Sequence, residues 1–491
     1  LFVNGKPQPI DYFDMVDFKA PRPAPAVAPL QAASAPAPAA ATPELRDRRL
    51  FLLLFDLVIT RPGQLGEIER SRRAAMSMVD HALPGDLFSV AVVREEGIEL
   101  AIPFLRDHDA IRRAILELAP THAHDALGLS ITGAERETAG GWGASSAGDA
   151  EGIGKRGEDP LPDIFAEANA AQQDLAARLA IDRIDNYAGL AARLRDLEGF
   201  KHVILFSEGF HADPERQFMA VKRMAEWFQS ANVYLHAVDL TPIATGAADP
   251  KVQSAPSRAA GAFVSENIAM VADPYAASGK RAPVVPPSEN DSLLWISNAT
   301  GGSWIHWKNF FAPALDELSA SYSAVYRLGF KPVAARKGHN DIDVKVKNLP
   351  PEATVSFRKG FNSTVPSKSA PDALLLADII ENDTPQSGTP PEVSVAGGRV
   401  DVVVPVMQLS KQYGAVEGAA VMLYVFDSKG IAVLSSEKTF AIPEHAAADR
   451  VIQQKVMLAP GNYVAKVLMR VGDSLAFAKE PFEIEADQPA Q

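Results

Sequence analysis

The middle of the chain alternates between short apolar runs and stretches in which apolar residues recur at helical spacing. Leu50–Phe55 is continuously apolar and ends in Asp56, as a strand buried on both faces of a parallel sheet does. Apolar residues then follow at helical spacing from Ile68 to Leu83, and Pro84-Gly85 ends this helix. Further strands are predicted at 88–93, 202–206 and 233–238, and further helices at 111–118, 175–197, 218–228 and 292–300. The alternation predicts an α/β Rossmann-like domain with a mostly parallel central sheet and helices on both faces.

After a helix that ends at Ser321, the spacing of apolar positions changes to two. Antiparallel strands are therefore predicted at 324–330, 341–347 and 354–358. A Ser/Pro-rich stretch at 363–371 marks a boundary. Beyond it, short strands with Gly-containing turns continue from Arg399 to Glu485, a spacing typical of a β-sandwich.

These patterns predict five parts along the chain. They are a remnant of an N-terminal β module at 1–18, an Ala/Pro-rich linker at 19–49, a type of α/β domain at 50–321, strands closing the N-terminal module at 322–361, and an Ig-like β-sandwich at 372–487. Polar or Gly/Pro-rich insertions at 131–165 and 245–290 are predicted to form surface loops of the α/β domain. We expect residues 1–18 to pair with 324–361, which would make the α/β domain an insertion in one β module.

Composition excludes several classes of protein. With 491 residues, of which 47% are hydrophobic, the chain is too long for a single small module. A net charge of -13 repels phosphate backbones, so nucleic acid is not an expected partner. The absence of cysteine excludes disulfides, thiol nucleophiles and cysteine-based metal sites. The best apolar run, Leu50–Phe55, is far shorter than the roughly 18 residues of a membrane span, so no transmembrane segment is expected in this chain.

Oxygen-bearing side chains follow three of the predicted strands. Asp56 and Thr60 come after the first strand, Ser207 and Glu208 after a later one, and Asp239 after the next. Ligands of open parallel sheets bind outside the carboxyl ends of the strands. Hard oxygen donors of this kind suit Mg²⁺ or Ca²⁺. The same residue types also serve turns and helix starts, and this structural interpretation stays open.

The order of motifs resembles that of a von Willebrand factor type A (VWFA) domain. The matching segments are 56–60 after an apolar strand, Pro84-Gly85-Asp86, the run 201–210, Ala299-Thr300-Gly301-Gly302, and Tyr326–Phe330. The combination is similar to VWFA-related proteins of the acidobacterial type, which are exported. It covers roughly residues 50–361, and the first 13 residues look like the tail of the module that precedes the domain in that family.

The resemblance implies a degenerate metal-ion-dependent adhesion site. The family places Asp-x-Ser-x-Ser after the first strand and an Asp after the fourth. Asp56 and Thr60 keep two of these positions, but Val58 replaces the middle serine, and Ser207-Glu208 stands where the later Asp is usual. The implied ligands are therefore Asp56, Thr60, Ser207 and Glu208, and binding of Mg²⁺ or Ca²⁺ is expected to be weak because a cation that prefers six oxygens loses one.

An enzymatic alternative uses Asp56 differently. The run 55–60 also resembles the first motif of haloacid-dehalogenase-like phosphatases, and Phe206-Ser207 resembles the second. That chemistry needs a second carboxylate two residues after the nucleophile, where Val58 stands, and valine transfers no proton. No Gly-x-Ser-x-Gly, His-Glu-x-x-His or Walker motif is present, and the close pair His122 and His124 is interpreted as part of a solvated loop. We therefore expect no catalysis.

The expected function is binding by an exported, secreted or periplasmic cell-envelope protein. The ligand would be a protein or a cell surface, bound at the carboxyl edge of the type A sheet. Thr121 is, by order along the chain, the candidate for the family's lone threonine ligand. If no metal binds, Trp142 and Tyr275 in the two insertions are the expected anchors.

Overall fold

The computed structural model describes most of the chain outside the insertions. The described residues are 1–20, 43–56, 58–59, 64–94, 97–118, 121–122, 184–209, 214–240, 291–306, 311–333, 335–351, 353–363, 373–396 and 398–485. The predicted loops at 131–165 and 245–290, with Trp142 and Tyr275, lie outside these residues, as do Thr60 and most of the predicted linker.

The described elements are as follows. The strands are β1 Phe2–Val3, β2 Lys6–Pro7, β3 Tyr12–Asp17, β4 Arg49–Asp56, β5 Val58–Ile59, β6 Leu87–Arg94, β7 Gly97–Leu105, β8 Thr121–His122, β9 Phe200–Ser207, β10 Val233–Asp239, β11 Trp304–Ile305, β12 Ala324–Gly329, β13 His339–Asp343, β14 Gly360–Asn362, β15 Glu392–Ala396, β16 Arg399–Val404, β17 Val416–Asp427, β18 Ala432–Ile442, β19 Arg450–Lys455, β20 Gly461–Val471 and β21 Ser474–Ile484. The helices are α1 Pro43–Arg46, α2 Gln64–Asp80, α3 His108–Glu117, α4 (described over 184–195), α5 Pro214–Ser230, α6 Asp291–Thr300, α7 Ala312–Ser321, α8 Ala373–Asn382 and α9 Val406–Tyr413. Among the helices that the structure describes, none is both long and apolar enough to span a membrane.

The central sheet has six strands in the order β11-β10-β9-β4-β6-β7. All neighbours are parallel except β7, which runs antiparallel to β6 at one edge. Counted within the domain, this is the 3-2-1-4-5-6 order of doubly wound nucleotide-binding folds. The order reverses between β4 and β9, so a crevice is expected at the carboxyl ends of these two strands.

Two apolar cores cover the two faces of this sheet. Leu50, Leu52 and Leu54 of β4 face one core, which α4, α5 and α6 complete. The alternate residues Phe51 and Phe55 face the other core, which α2, α3 and α7 complete. Every residue of β4 is buried, because helices cover both sides of it. The predicted mostly parallel sheet with helices on both faces is confirmed.

The two chain segments that flank the α/β domain form a small β module. β3 pairs antiparallel with β12, from Tyr12 opposite Gly329 to Asp17 opposite Ala324. β1 pairs with β13, and β13 with β14. These are the segments, 1–18 and 324–361, between which the sequence pattern predicts pairing.

The predicted strand at 354–358 is wrong. Residues 353–359 form no strand, and they instead run along the end of α6. The Ser356 hydroxyl contacts the Gly301 carbonyl, and the Lys359 N–H donates to the Ala299 carbonyl at 3.2 Å. The residues of this alternating segment thus contact the end of a helix. The strand that pairs with β13 is β14, which begins at Gly360.

The C-terminal part packs a three-stranded sheet, β15-β16-β19, against a four-stranded one, β18-β17-β20-β21. Two helices in this part, α8 and α9, are absent from the sequence prediction. α8 buries Ile379 and Ile380 against the outer face of the four-stranded sheet. Its first turn places Leu374 in a core of the α/β domain. This helix therefore joins the two parts of the molecule.

Two consecutive buried arginines hold the amino end of β4. Arg49 makes two hydrogen bonds to Asp86, of 2.8 and 2.6 Å, and a third to the Ser319 carbonyl at 2.9 Å. Arg48 makes two hydrogen bonds to Asp378 of α8, of 3.0 and 2.7 Å. All four charged side chains are at most 4% exposed. Because such pairs are costly to break once buried, they fix the relative positions of the elements that they join.

We expect Arg48→Ala to lower the free energy of unfolding by about 3–5 kcal/mol, because it leaves the Asp378 carboxylate buried without its cation. Guanidinium unfolding, followed by circular dichroism, measures this change. Arg223→Ala is the matched control, because Arg223 and Asp185 form an ion pair in which each side chain is 55% exposed, and its loss should change stability by less than about 1 kcal/mol. Adding Asp378→Ala to Arg48→Ala should restore part of the loss. Equal effects of the two single arginine substitutions would contradict a buried joint at Arg48.

Candidate functional site

Three neighbouring strands of the central sheet end in polar residues at one level. The register of β9 and β10 places Asp239 beside Ser207. The register of β4 and β9 pairs Phe55 with Phe206, so that Asp56 comes beside Ser207. The Ser207 hydroxyl donates to Asp56 Oδ2 at 3.0 Å. The structure thus brings together two of the predicted ligands, 151 residues apart in sequence, where the strand order reverses.

These three side chains form a polar layer under the edge of the sheet. Asp56, Ser207 and Asp239 are 5%, 1% and 2% exposed. By strand alternation, they share the face of Leu54, Leu205 and Ala237, which is the face covered by α4, α5 and α6. A ligand atom would therefore have to enter from the carboxyl end of the strands to reach them.

The backbone around Ser207 fixes its hydroxyl group. The Gly209 N–H donates to Ser207 Oγ at 3.1 Å, and the Leu240 N–H donates to the Ser207 carbonyl at 3.0 Å. Gly209 has a φ of 95°, which a residue with a side chain rarely adopts, so glycine permits this turn. Because the hydroxyl donates to Asp56 and accepts from Gly209, one lone pair of Oγ stays available to a further group.

The other predicted ligands are Glu208 and Thr60, and Thr121 is the candidate lone threonine. Glu208, directly after β9, is 8% exposed and so is mostly buried. Thr60 lies outside the described residues. β5 and β8 pair in parallel with Val58 beside Thr121, so the candidate lone threonine lies on the strand next to the segment after Asp56.

Two further residues lie at this edge. Asp239, a strand-end carboxylate that the sequence places at this edge but outside the implied ligand set, lies beside Ser207 through the register of β10. His306 directly follows β11, whose Ile305 pairs with Val238, and its ring stacks on Trp304 at 3.7 Å. No sequence motif points to His306, because β11 is too short to be recognised by periodicity.

The side chains that end the strands at this edge offer oxygen donors. Within the part of the chain that the structure describes, no three His, Cys, Asp or Glu side chains are grouped so that they could hold a metal ion. Asp56 and Ser207 are the oxygen donors in direct contact, Asp239 ends the adjacent strand, and Glu208 directly follows Ser207. Oxygen ligands of this type favour Mg²⁺ or Ca²⁺ over zinc or copper.

The motif Ala299-Thr300-Gly301-Gly302 has a structural role away from this edge. The Leu235 N–H donates to Thr300 Oγ1 at 3.1 Å, and that hydroxyl donates to the Ile296 carbonyl at 2.9 Å. A Cβ atom on Gly302 would lie 1.9 Å from the Leu235 carbonyl oxygen, so only glycine fits there. The motif therefore joins the end of α6 to β10.

A serine, a histidine and an aspartate also meet on α2 and α7. His81 Nδ1 lies 3.5 Å from Ser77 Oγ and 3.2 Å from Asp316 Oδ2. A catalytic relay needs one ring nitrogen for the serine and the other for the carboxylate. Here the same nitrogen contacts both, and it also lies 2.9 Å from the Ser77 carbonyl. This cluster therefore lacks the geometry of a nucleophile and its base.

The strand order and the two covered faces define the class of the α/β domain, a doubly wound Rossmann-like fold. No protein-family model and no curated protein sequence matches this chain. Solved structures of von Willebrand factor type A proteins are similar to it at low identity.

Three such structures give the range of this similarity. The von Willebrand factor type A protein from Catenulispora acidiphila is 10% identical, covering 97% of this chain and 74% of that one, with a TM-score of 0.26. The ArnB paralog VWA2 from Sulfolobus acidocaldarius is 8% identical over 89% of this chain and 66% of that one, with a TM-score of 0.22. The SpRpn10 VWA domain is 11% identical over 40% and 77%, with a TM-score of 0.21. TM-scores this low carry no argument, so the fold class rests on the strand order.

Proposed function

We propose that this chain is a non-catalytic binding module of the VWFA type, which takes a protein or cell-surface ligand at the carboxyl edge of its central sheet. The observation that carries the proposal is the Ser207–Asp56 hydrogen bond of 3.0 Å at the point where the strand order reverses. Ligands of open α/β sheets bind in the crevice at this point. Asp239 on the next strand end extends the polar layer.

The local electrostatics support binding of a polar ligand group. α2 follows β4 and α5 follows β9, so both helices begin on the carboxyl side of the sheet. Helix amino ends favour negative groups, whereas the carboxylates of the polar layer favour cations. A divalent cation bound between the carboxylates of the polar layer and an acidic group of the partner would match both preferences.

The proposed cation site uses Asp56 as its central ligand and Ser207 and Glu208 as further ligands. Thr60, which lies outside the described residues, is the fourth ligand that the sequence implies. A Mg²⁺ or Ca²⁺ ion prefers six or more oxygens, and Val58 supplies none. Water or partner oxygens would complete the coordination, so the chain alone would bind the ion weakly. By its resemblance to exported VWFA-related proteins, we place the module in the periplasm, at the cell surface or outside the cell.

We expect an immobilised full-length chain to capture a ligand from a cell-envelope extract through this edge. Asp56→Asn should reduce capture about tenfold or more, because the carboxylate charge is lost while the contact to Ser207 can persist. Quantitative mass spectrometry of the bound material measures the change.

Asp343→Asn is the matched control, because Asp343 is an exposed carboxylate on β13. It should capture as much as the unmodified chain. Equal capture by the unmodified chain and both variants would contradict binding at the carboxyl edge.

We further expect calorimetry to detect at most millimolar affinity for Mg²⁺ or Ca²⁺, because one hydroxyl ligand of the site is replaced by Val58. Asp56→Ala should abolish any such heat, and Asp343→Asn should leave it unchanged. Sub-micromolar binding that is lost in Asp56→Ala would contradict a weakened site.

The alternative is a degenerate phosphohydrolase with Asp56 as its nucleophile. Asp56 ends its strand beside Ser207, as that chemistry requires of its first two motifs, but Val58 removes the proton-transferring carboxylate. We expect the full chain to hydrolyse p-nitrophenyl phosphate in Mg²⁺ no faster than Asp56→Asn does. Magnesium-dependent turnover that Asp56→Asn abolishes would favour the enzyme over the binding module.

A further inference from the structure

Two histidines meet inside the central sheet, on the face opposite the Asp56 layer. His202 of β9 and His236 of β10 are 1% and 0% exposed. His202 Nδ1 lies 3.1 Å from His236 Nε2. Tyr322, which follows α7, closes over both rings, with its ring centroid 4.5 Å from that of His202.

A backbone donor settles which nitrogens carry protons. The Ser303 N–H donates to His236 Nδ1 at 3.0 Å, so this nitrogen must be an acceptor. The proton of neutral His236 is therefore on Nε2, which donates to His202 Nδ1. His202 Nδ1 is then an acceptor as well, and the proton of His202 is on its Nε2. Both rings are neutral, and both acceptor nitrogens are occupied.

An additional proton has no place in this arrangement. A proton on His236 Nδ1 would face the Ser303 N–H, and a proton on His202 Nδ1 would face the His236 N–H. Either one replaces a hydrogen bond by two opposed donors in a buried site. Protonation therefore requires one of the two hydrogen bonds to open.

The bond to Ser303 holds the short edge strand β11 in place. Ser303 precedes β11, and its carbonyl accepts from the Ala237 N–H at 2.9 Å while its N–H binds His236. β11 itself is only two residues long, Trp304 and Ile305. Loss of the His236 contact therefore removes a large share of the polar contacts that hold this strand to β10.

We infer that the His202–His236 pair is an acid-sensitive latch, whose protonation at His236 releases the start of β11 from β10 before the domain as a whole unfolds. Neither histidine belongs to the proposed ligand edge, because both lie on the opposite face of the sheet from Asp56. Its bistable element is the segment 301–305, which is either bound to β10 or released.

The surroundings of the pair disfavour an imidazolium. Burial lowers the pKa of His236 to about 3. Burial also lowers the pKa of His202 well below its usual value, and a protonated His236 and the Arg49 guanidinium would add to this effect by repelling a charge on His202. Arg49 is engaged by Asp86, and burial raises the pKa of Tyr322 to about 12, so that Tyr322 stays neutral. Tyr234 on β10 is a further titratable group beside the pair, with its ring centroid 5.3 Å from that of His202.

The direction and size of the pH effect follow from this. Below the ordinary histidine pKa of 6.5, an exposed His236 takes up a proton that the closed form refuses until about pH 3. The opened form then binds one more proton, so its equilibrium constant should rise about tenfold for each unit of falling pH. Global unfolding exposes both histidines, so the equilibrium constant of global unfolding should rise about a hundredfold for each unit by which the pH falls.

Hydrogen exchange of the full chain, from about pH 7.5 to about 4.5, tests the latch. After correction for intrinsic exchange rates, the opening constant at the Ser303 amide should rise about tenfold per pH unit below about pH 6.5. The opening constant at the Leu53 amide in β4, which reports global unfolding, should stay smaller than that at Ser303 and rise more steeply, about a hundredfold per unit. In His236→Asn the amide oxygen can still accept from Ser303 but does not titrate in this range, so the pH dependence should vanish.

Two results would overturn the latch. One is an opening constant at Ser303 that does not change with pH in the unmodified chain, or that equals the opening constant at Leu53. The other is an imidazolium signal for His236 near neutral pH in nitrogen NMR of the unmodified chain. The NMR measurement uses the unmodified chain, so it tests the latch even if His236→Asn fails to fold.

Discussion

The positions of the modules depend on two charged side chains at the amino end of β4. Arg48 and Arg49 point to opposite sides because consecutive residues of an extended chain do so. Arg49 joins β4 to Asp86 and α7, and its guanidinium lies 5.4 Å from the ring of Phe18 beside the N-terminal β module. Arg48 joins the same point to α8. Because buried charges tolerate no loss of partner, one end of one strand ties three parts of the chain together.

The sequence predicted those elements whose stability comes from local pattern and burial. The fully apolar Leu50–Phe55 could be little other than a central strand, and helical spacing identified α2 from its own residues. The segment 354–358 alternates like a strand, but its partners are the end of α6 and Gly301, and no local pattern encodes such contacts. α8 was missed because it follows a Ser/Pro-rich boundary and is apolar on two faces, one for each module that it contacts.

In the candidate site, too, some residues could be predicted from the sequence and others could not. Asp56 and Ser207 could be predicted because each ends an apolar strand, and parallel strands bring their ends together. The place of Asp239 needed the register of β10, which only the folded sheet fixes. The ten histidines drew attention to His122 and His124, which are close in sequence. The pair that meets in the core, His202 and His236, lies 34 residues apart, on neighbouring strands.

The sheet thus separates its stabilising charges from its polar edge along the strand direction. β4 carries Arg49 at its amino end, bound to Asp86 and Ser319, and Asp56 at its carboxyl end, bound to Ser207. Eight buried residues lie from one end to the other, so the two polar sets do not share contacts. Substitutions at the carboxyl edge can therefore alter its chemistry while leaving the ion pairs that hold the modules untouched.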